Sequence, residues 1–250
     1  MGQEIRILVI NPNTEQKMTD QIEKQIREKL PSDIRLTVRT NVAGPVSIEG
    51  HTDEIISSYY ILEMLSDFKE TYDGYLIACF SNHPSIAMLR EITGKPVVGI
   101  AEGACHLASL LGHQFAVVTT SPKWVPMLTE AVDQFGLADK CRGIFTSGLS
   151  VENLHNLSAE KVEKEIIEAA RRALDAGAEV LCLGCAGMSG IREKLENKLS
   201  VPVIDSCEAG FWELYALCKM SLSTSRYCMY AENLKRKTWN LDDKLKKFYE

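Results

Sequence analysis

One pattern occurs twice in this chain, and the repetition limits what it can fold into. Tyr75-Leu76-Ile77-Ala78-Cys79-Phe80-Ser81-Asn82 is a short apolar run that ends in a cysteine and a polar loop. Leu181-Cys182-Leu183-Gly184-Cys185-Ala186-Gly187-Met188-Ser189-Gly190 is another, with a glycine-rich loop. Cys185 follows Cys79 by 106 residues, and the same interval separates Pro202 from Pro96 and Glu208 from Glu102. Further upstream, Leu8-Val9-Ile10-Asn11 matches Ala116-Val117-Val118-Thr119 at an interval of 108. Self-similarity of this kind indicates a duplicated structural unit. Two copies of one α/β unit place two cysteines at equivalent strand ends. If the copies face each other, the thiols enter one cleft from opposite sides.

Apolar runs as short as Glu179 to Leu183 read as buried parallel strands. A glycine-rich turn from strand to helix aims backbone N–H groups at one point, where the helix dipole also favours negative charge. The expectation is therefore that the turn stabilises a Cys185 thiolate. After Cys79, Pro84 offers a helix start. The spacing of Gly184, Gly187 and Gly190 differs from the G-x-G-x-x-G of dinucleotide sites.

Taken in order, Ile5 to Ile10 reads as a strand and Asn11-Pro12-Asn13-Thr14 as a turn, with Thr14 capping the next helix. Met18, Ile22, Ile26 and Leu30 share one helical face, and Ile34, Leu36 and Val38 alternate as a second strand. The loop Gly44-Pro45-Val46-Ser47-Ile48-Glu49-Gly50 precedes a helix bearing Ile55, Ile56, Tyr59, Leu62 and Leu65. Val97 to Ile100 and Phe115 to Thr119 are further strands, with a helix from Glu102 to Leu111 between them. A helix follows from about Trp124 to Phe135. Ser158 caps a long helix that Gly177 ends. A helix then starts at about Ile191, and another runs from Glu208 to about Lys219. Such alternation specifies an α/β fold with parallel sheets flanked by helices. Ligands of such sheets bind at the carboxyl ends of the strands. Asn11, Ser47, Cys79, Thr119 and Cys185 all fall just past those ends. In the lysine-rich tail after Ala231, Leu234, Thr238, Leu241, Leu245 and Phe248 share a helical face, which suits a docked terminal helix or an oligomer contact.

A 250-residue chain with 45% hydrophobic and 25% charged residues is of ordinary globular composition. A net charge of −6 does not suit nucleic-acid binding. No apolar run approaches the roughly 20 residues of a membrane helix. The opening Met1-Gly2-Gln3-Glu4 lacks the basic and apolar regions of a signal peptide, so the expected location is the cytoplasm. There the eight cysteines are expected to be free thiols. Cys105, Cys207 and Cys218 fall in helical patterns as packing residues. Cys182 lies inside a strand, which argues against a redox or zinc role for Cys182-x-x-Cys185. His51, His106, His113 and His155 form no ligand spacing. His83, beside the first cysteine loop, reads either as a group that tunes the thiol or touches substrate, or as a solvated loop histidine.

Asn11-Pro12-Asn13-Thr14, Gly44-Pro45-Val46-Ser47-Ile48-Glu49-Gly50, Ala78-Cys79-Phe80, Pro96 to Glu102, Val117-Val118-Thr119-Thr120 and Leu183-Gly184-Cys185-Ala186-Gly187-Met188 together resemble the hydantoin and allantoin racemases of the aspartate/glutamate racemase superfamily. The resemblance spans about residues 5 to 215. It implies two similar, pseudo-twofold-related α/β domains with the active site in the cleft between them, here residues 1–98 with 208–250 and residues 99–207. It also implies racemisation without a cofactor or metal, with Cys79 and Cys185 catalytic. Asn11, Asn13, Ser47, Ile48, Phe80, Ser81, Thr119, Thr120, Ala186 and Gly187 are the implied substrate contacts. The expected partner is a small molecule, and a homo-oligomer is expected. Where relatives carry Gly-Asp-Pro-Gly-like residues, this chain has Ser81-Asn82-His83-Pro84-Ser85. Two thiols on opposite faces of a planar intermediate suffice for racemisation, one as base and one as acid. The alternatives are another reaction of the superfamily on a small carbonyl or carboxylate compound (amino-acid racemisation, decarboxylation or cis–trans isomerisation) and a non-catalytic binding protein.

Overall fold

A computed structural model describes residues 4–151, 153–231, 238 and 240–249. The first half runs β1 (Ile5–Asn11), α1 (Gln16–Arg27), β2 (Ile34–Thr40), α2 (His51–Ser66), β3 (Gly74–Ile77), α3 (Pro84–Thr93), β4 (Val97–Gly99) and α4 (Ile100–Leu111). The second runs β5 (Phe115–Thr119), α5 (Trp124–Gln134), β6 (Cys141–Thr146), α6 (Asn153–Asn156), α7 (Ala159–Asp175), β7 (Val180–Leu183), α8 (Arg192–Leu199), β8 (Val203–Ile204) and α9 (Ser206–Lys219). A one-turn helix, α10 (Asp243–Lys246), follows.

The halves share one topology. Each is a four-stranded sheet, ordered β2-β1-β3-β4 in the first and β6-β5-β7-β8 in the second. All six pairings are parallel. The central strands are buried on both faces, as parallel strands flanked by helices must be. Along β1, Leu8 and Ile10 pack with Ile61 of α2 and Ile86 and Leu89 of α3. Ile7 and Val9 point the other way, into a core that also takes in Leu76, Ala104, Val117, Cys182 and Phe211. That core therefore joins the inner faces of both sheets. Ala116 and Val118 of β5 face outward onto Ile166 and Ala170 of α7.

The joint is made by exchange. α4 leaves the first sheet and packs on β7, whereas α9 leaves the second sheet and packs on β3 and β4. The two helices also lie against each other. Their crossing is close because Gly103 meets Gly210: a Cβ on Gly103 would stand 2.7 Å from the Gly210 Cα. Only a residue without a side chain fits that gap.

Several local expectations hold. Ser158 accepts from the Lys161 N–H at the start of α7, and Gly177 adopts φ +94° just past its end. Others change. α1 is capped by Glu15, whose carboxylate accepts from the Lys17 N–H. Thr14 instead donates to the Pro45 carbonyl, tying the first turn to the Gly44–Gly50 loop. The tail is shorter in helix than its pattern suggests. Among the described residues of the tail after Ala231, only Asp243–Lys246 is helical; Leu245 is buried against α2, and Leu234 lies outside the described residues. No described helix is long and apolar enough to cross a membrane.

Candidate active site

Cys79 lies two residues past β3 and Cys185 two residues past β7. β3 and β7 are the equivalent strands of the two sheets. Both thiols line one pocket of about 410 Å³ of empty space at the carboxyl ends of the strands. Its wall includes Asn11, Pro12 and Asn13 past β1, Ile48 of the Gly44–Gly50 loop, Ala78 and Phe80 beside Cys79, and Thr120 past β5. Gly184 and Ala186 flank Cys185, and Met18, Trp124 and Val151 complete the lining.

The loops are held by bonds that cross the chain. Asn41 is buried and donates to the Pro12 and Ser57 carbonyls, fixing the first turn against α2. Asn11 donates to Asn13 Oδ1 at 2.7 Å and Thr19 Oγ1 at 3.0 Å, and accepts from the Asn13 N–H. Asn13 in turn accepts from the Glu15 N–H and contacts Met18 Sδ. Thr119 donates to the Gly184 carbonyl at 2.8 Å. Asn11 and Thr119 therefore build the loops beside the two thiols, and Asn11 also lines the pocket. Ser47 is not in the pocket wall; its hydroxyl donates to Glu49 at 2.9 Å. Thr119 and Ser81 are buried beside the pocket, at 1% and 3% exposure, whereas Gly187 is partly exposed.

The expected stabilisation of the thiolate is overturned by burial. Cys185 begins a single 3-10 turn, Ala186–Met188, and α8 starts only at Arg192. The Gly187 backbone N–H donates to the Cys185 sulfur and pulls its pKa down, but desolvation dominates and leaves the thiol at about 11. Desolvation raises Cys79 further still; Ser81 Oγ, donating to its sulfur at 3.6 Å, pulls the other way, and the Glu54 carboxylate and then Cys185 add smaller upward contributions. Both are thus thiols at neutral pH.

His83 is neither solvated nor in the pocket wall. It is 1% exposed. Its Nδ1 accepts from the Ser85 N–H, capping α3, so its Nε2–H donates to Ser57 Oγ at 2.9 Å. Burial pushes its pKa down to about 3, and it is neutral. Cys182 is fully buried and contacts the Ala104 carbonyl; it does not reach the pocket. Sequence reasoning missed Met18, Trp124 and Val151, which as apolar residues of helices or a loop look like ordinary core.

A family model described as Asp/Glu/Hydantoin racemase matches residues 7–214. The chain belongs to this family. It is 35% identical over 227 residues to the hydantoin racemase of Pseudomonas sp. (strain NS671), covering 90% of this chain and 91% of that one. The structure of an allantoin racemase from Klebsiella pneumoniae superposes with a TM-score of 0.88 at 32% identity, over 96% of this chain and 98% of that one. An allantoin racemase from Pseudomonas fluorescens gives 0.89 at 29% identity, over 94% and 100%.

Proposed function

We propose that this racemase, an isomerase by family, inverts a 5-substituted hydantoin-type compound such as allantoin or an amino-acid hydantoin. Cys79 and Cys185 act as base and acid on opposite faces of the ring. The observation that carries the reading is the placement of the two thiols at equivalent strand ends in one pocket. The working halves are residues 1–98 with 208–250 and residues 99–207, so that each half contributes one thiol.

The carbon that inverts lies next to a ring carbonyl, which takes up the developing negative charge. One sulfur removes the proton from one face, and the other returns a proton to the opposite face; the roles exchange for the other enantiomer. The ring is positioned by the apolar wall, in particular Met18, Ile48, Phe80 and Trp124, with Asn13, whose amide N–H2 has only the Met18 sulfur as a partner among the described residues, as the polar contact. Backbone N–H groups of the cysteine loops are the candidates to hold the enolate oxygen. No step in this scheme draws on a cofactor.

The test is to incubate single enantiomers of allantoin and of 5-substituted hydantoins with the protein in heavy water, following optical rotation and C5 deuterium by NMR. Loss of rotation with uptake of one deuterium per inversion supports the reading. Release of carbon dioxide, or no change in any of these compounds, would overturn it.

A further inference from the structure

Glu54 occupies the first turn of α2 and is only 4% exposed. Its Oε1 is buried without a hydrogen-bond partner, and its Oε2 is 3.6 Å from Nδ1 of the exposed His51. A buried carboxyl left so incompletely bonded is costly to maintain and calls for a reason. Ser81, 3% exposed, adjoins both groups: its hydroxyl donates to Cys79 Sγ at 3.6 Å, and its hydrogen bonding pulls the Glu54 carboxyl down against the rise from burial.

We propose that Glu54 holds the proton that Cys79 releases on becoming a base, receiving it through the Ser81 hydroxyl. The inference rests on Cys79 being one of the two racemising thiols. Glu54 touches no substrate and is a positioning residue acting through Ser81. As the Cys79 S–H bond breaks, its proton bonds to Ser81 Oγ, and the proton already on Ser81 Oγ passes to the Glu54 carboxylate. A thiolate, an intact hydroxyl and a neutral carboxylic acid result. In that state the Ser81 hydroxyl donates to sulfur, the arrangement seen here. The net charge of the buried cluster does not change, so no charge has to be created in a dry site. The reverse transfer re-arms Cys79 as an acid.

The surroundings suit this role. Burial raises the Glu54 carboxyl toward its neutral form, against smaller downward pulls from Ser81 and His51 and a small upward one from Asp53. Cys79 faces it from the loop after β3, and Cys185 lies across the pocket. His83, at the start of α3, is neutral and bonded to Ser57. Lys123 of the second half brings its ammonium beside Gly50, which precedes α2. Cys185 has no such wall: its nearby carboxylate, Glu49, is half-buried and bonded to Ser47.

The experiment compares Glu54→Gln, Glu54→Asp, Ser81→Ala and Cys79→Ser with wild type on an enantiomer that the wild type racemises. Glutamine keeps the size and burial but cannot accept the proton. It is expected to lower kcat by ~100-fold while KM stays within about threefold, and to abolish the acid limb of the kcat/KM profile that protonation of Glu54 imposes. Aspartate, still titratable, is expected to retain at least ~10-fold more activity than glutamine, and Ser81→Ala to behave like glutamine. Activity of Glu54→Gln within about threefold of wild type, or equal activity of the Gln and Asp variants, would overturn the relay. Should Glu54→Gln not fold, Ser81→Ala decides the matter by the same criteria. If Cys79→Ser racemises normally, or the wild type racemises nothing, the two-thiol reading falls and the relay with it. A dead Cys79→Ser beside a fully active Glu54→Gln condemns the relay alone.

Discussion

The two cysteine loops occupy equivalent places in equivalent sheets, yet they treat their thiols differently. Cys185 sits on a glycine-rich 3-10 turn and receives a backbone N–H from Gly187. Cys79 sits in front of side chains: Ser81 touches its sulfur, Glu54 lies behind, and His83 caps the following helix. Duplication thus preserved the position of a sulfur at a strand end and let its solvation diverge. Main-chain donors come with the turn itself, whereas a side-chain wall has to be recruited from another element, here α2.

The largest effects should come from removing either sulfur. Cys79→Ser and Cys185→Ser are each expected to reduce racemisation by at least ~100-fold with the fold retained. A lone remaining thiol can still exchange the C5 proton of the enantiomer that faces it. The two variants should therefore take up deuterium from opposite enantiomers, and exchange of the same enantiomer by both would show that the sulfurs do not flank the carbon.

The difference in solvation can be read without substrate. Both thiols are raised, so alkylation by iodoacetamide climbs with pH, and Cys185 should climb first, through about 11. Quantifying each cysteine by peptide mass spectrometry at pH 9 should show Cys185 modified at least ~10-fold faster than Cys79. The reverse order would mean that the Ser81–Glu54 wall solvates Cys79 better than the glycine turn solvates its counterpart.

His83 sharpens the comparison through pH. Its folded pKa is about 3, below the ordinary value of 6.5, so the neutral form is the folded one. The stability that depends on its neutrality is complete above pH 6.5 and is lost as pH falls toward 3. Thermal melting of wild type should decline across that window, and His83→Asn should decline less steeply while melting lower at pH 7. Parallel curves would mean that His83 is not the group being charged.

A smaller effect separates the residues just before the sulfurs. Ala78 and Gly184 are repeat-equivalent, 106 residues apart. A Cβ on Gly184 would stand 2.7 Å from Val117 Cγ1 and 3.0 Å from the Val118 carbonyl oxygen. Gly184→Ala is expected to destabilise by about 1–3 kcal/mol in urea unfolding. Ala78→Gly should lose only about 0.5–1 kcal/mol, and equal losses would remove the asymmetry. Smallest of all, Cys182→Ala should leave racemisation within about threefold of wild type, since that thiol is buried packing. A loss as deep as that of Cys185→Ser would revive the C-x-x-C pair.

The strands, their parallel order of use and the two sulfur positions were legible because each rests on a pattern a few residues long, repeated at a fixed interval. The same locality explains what was not. Glu54 looks like any acidic residue in the first turn of a helix, where a carboxylate is favoured by the dipole. Nothing near it in sequence shows that the β3 loop will close over it. His83 likewise reads as a loop residue until Ser57 of α2 is brought to its Nε2. Asn11 and Thr119 are polar residues at strand ends, the expected address for ligand contacts, and only the fold shows that they also bond Thr19 and Gly184.

By itself, then, the sequence determined the repeated α/β unit and the meeting of Cys79 and Cys185 at strand ends, since hydrophobic period and turn chemistry act over short stretches of chain. The exchange of α4 and α9 between the sheets, the Gly103–Gly210 crossing and the ionisation of both thiols were decided by the tertiary structure. Those depend on desolvation and on partners about a hundred residues away, and desolvation by the surrounding protein outweighs the local pull of a turn at both sulfurs.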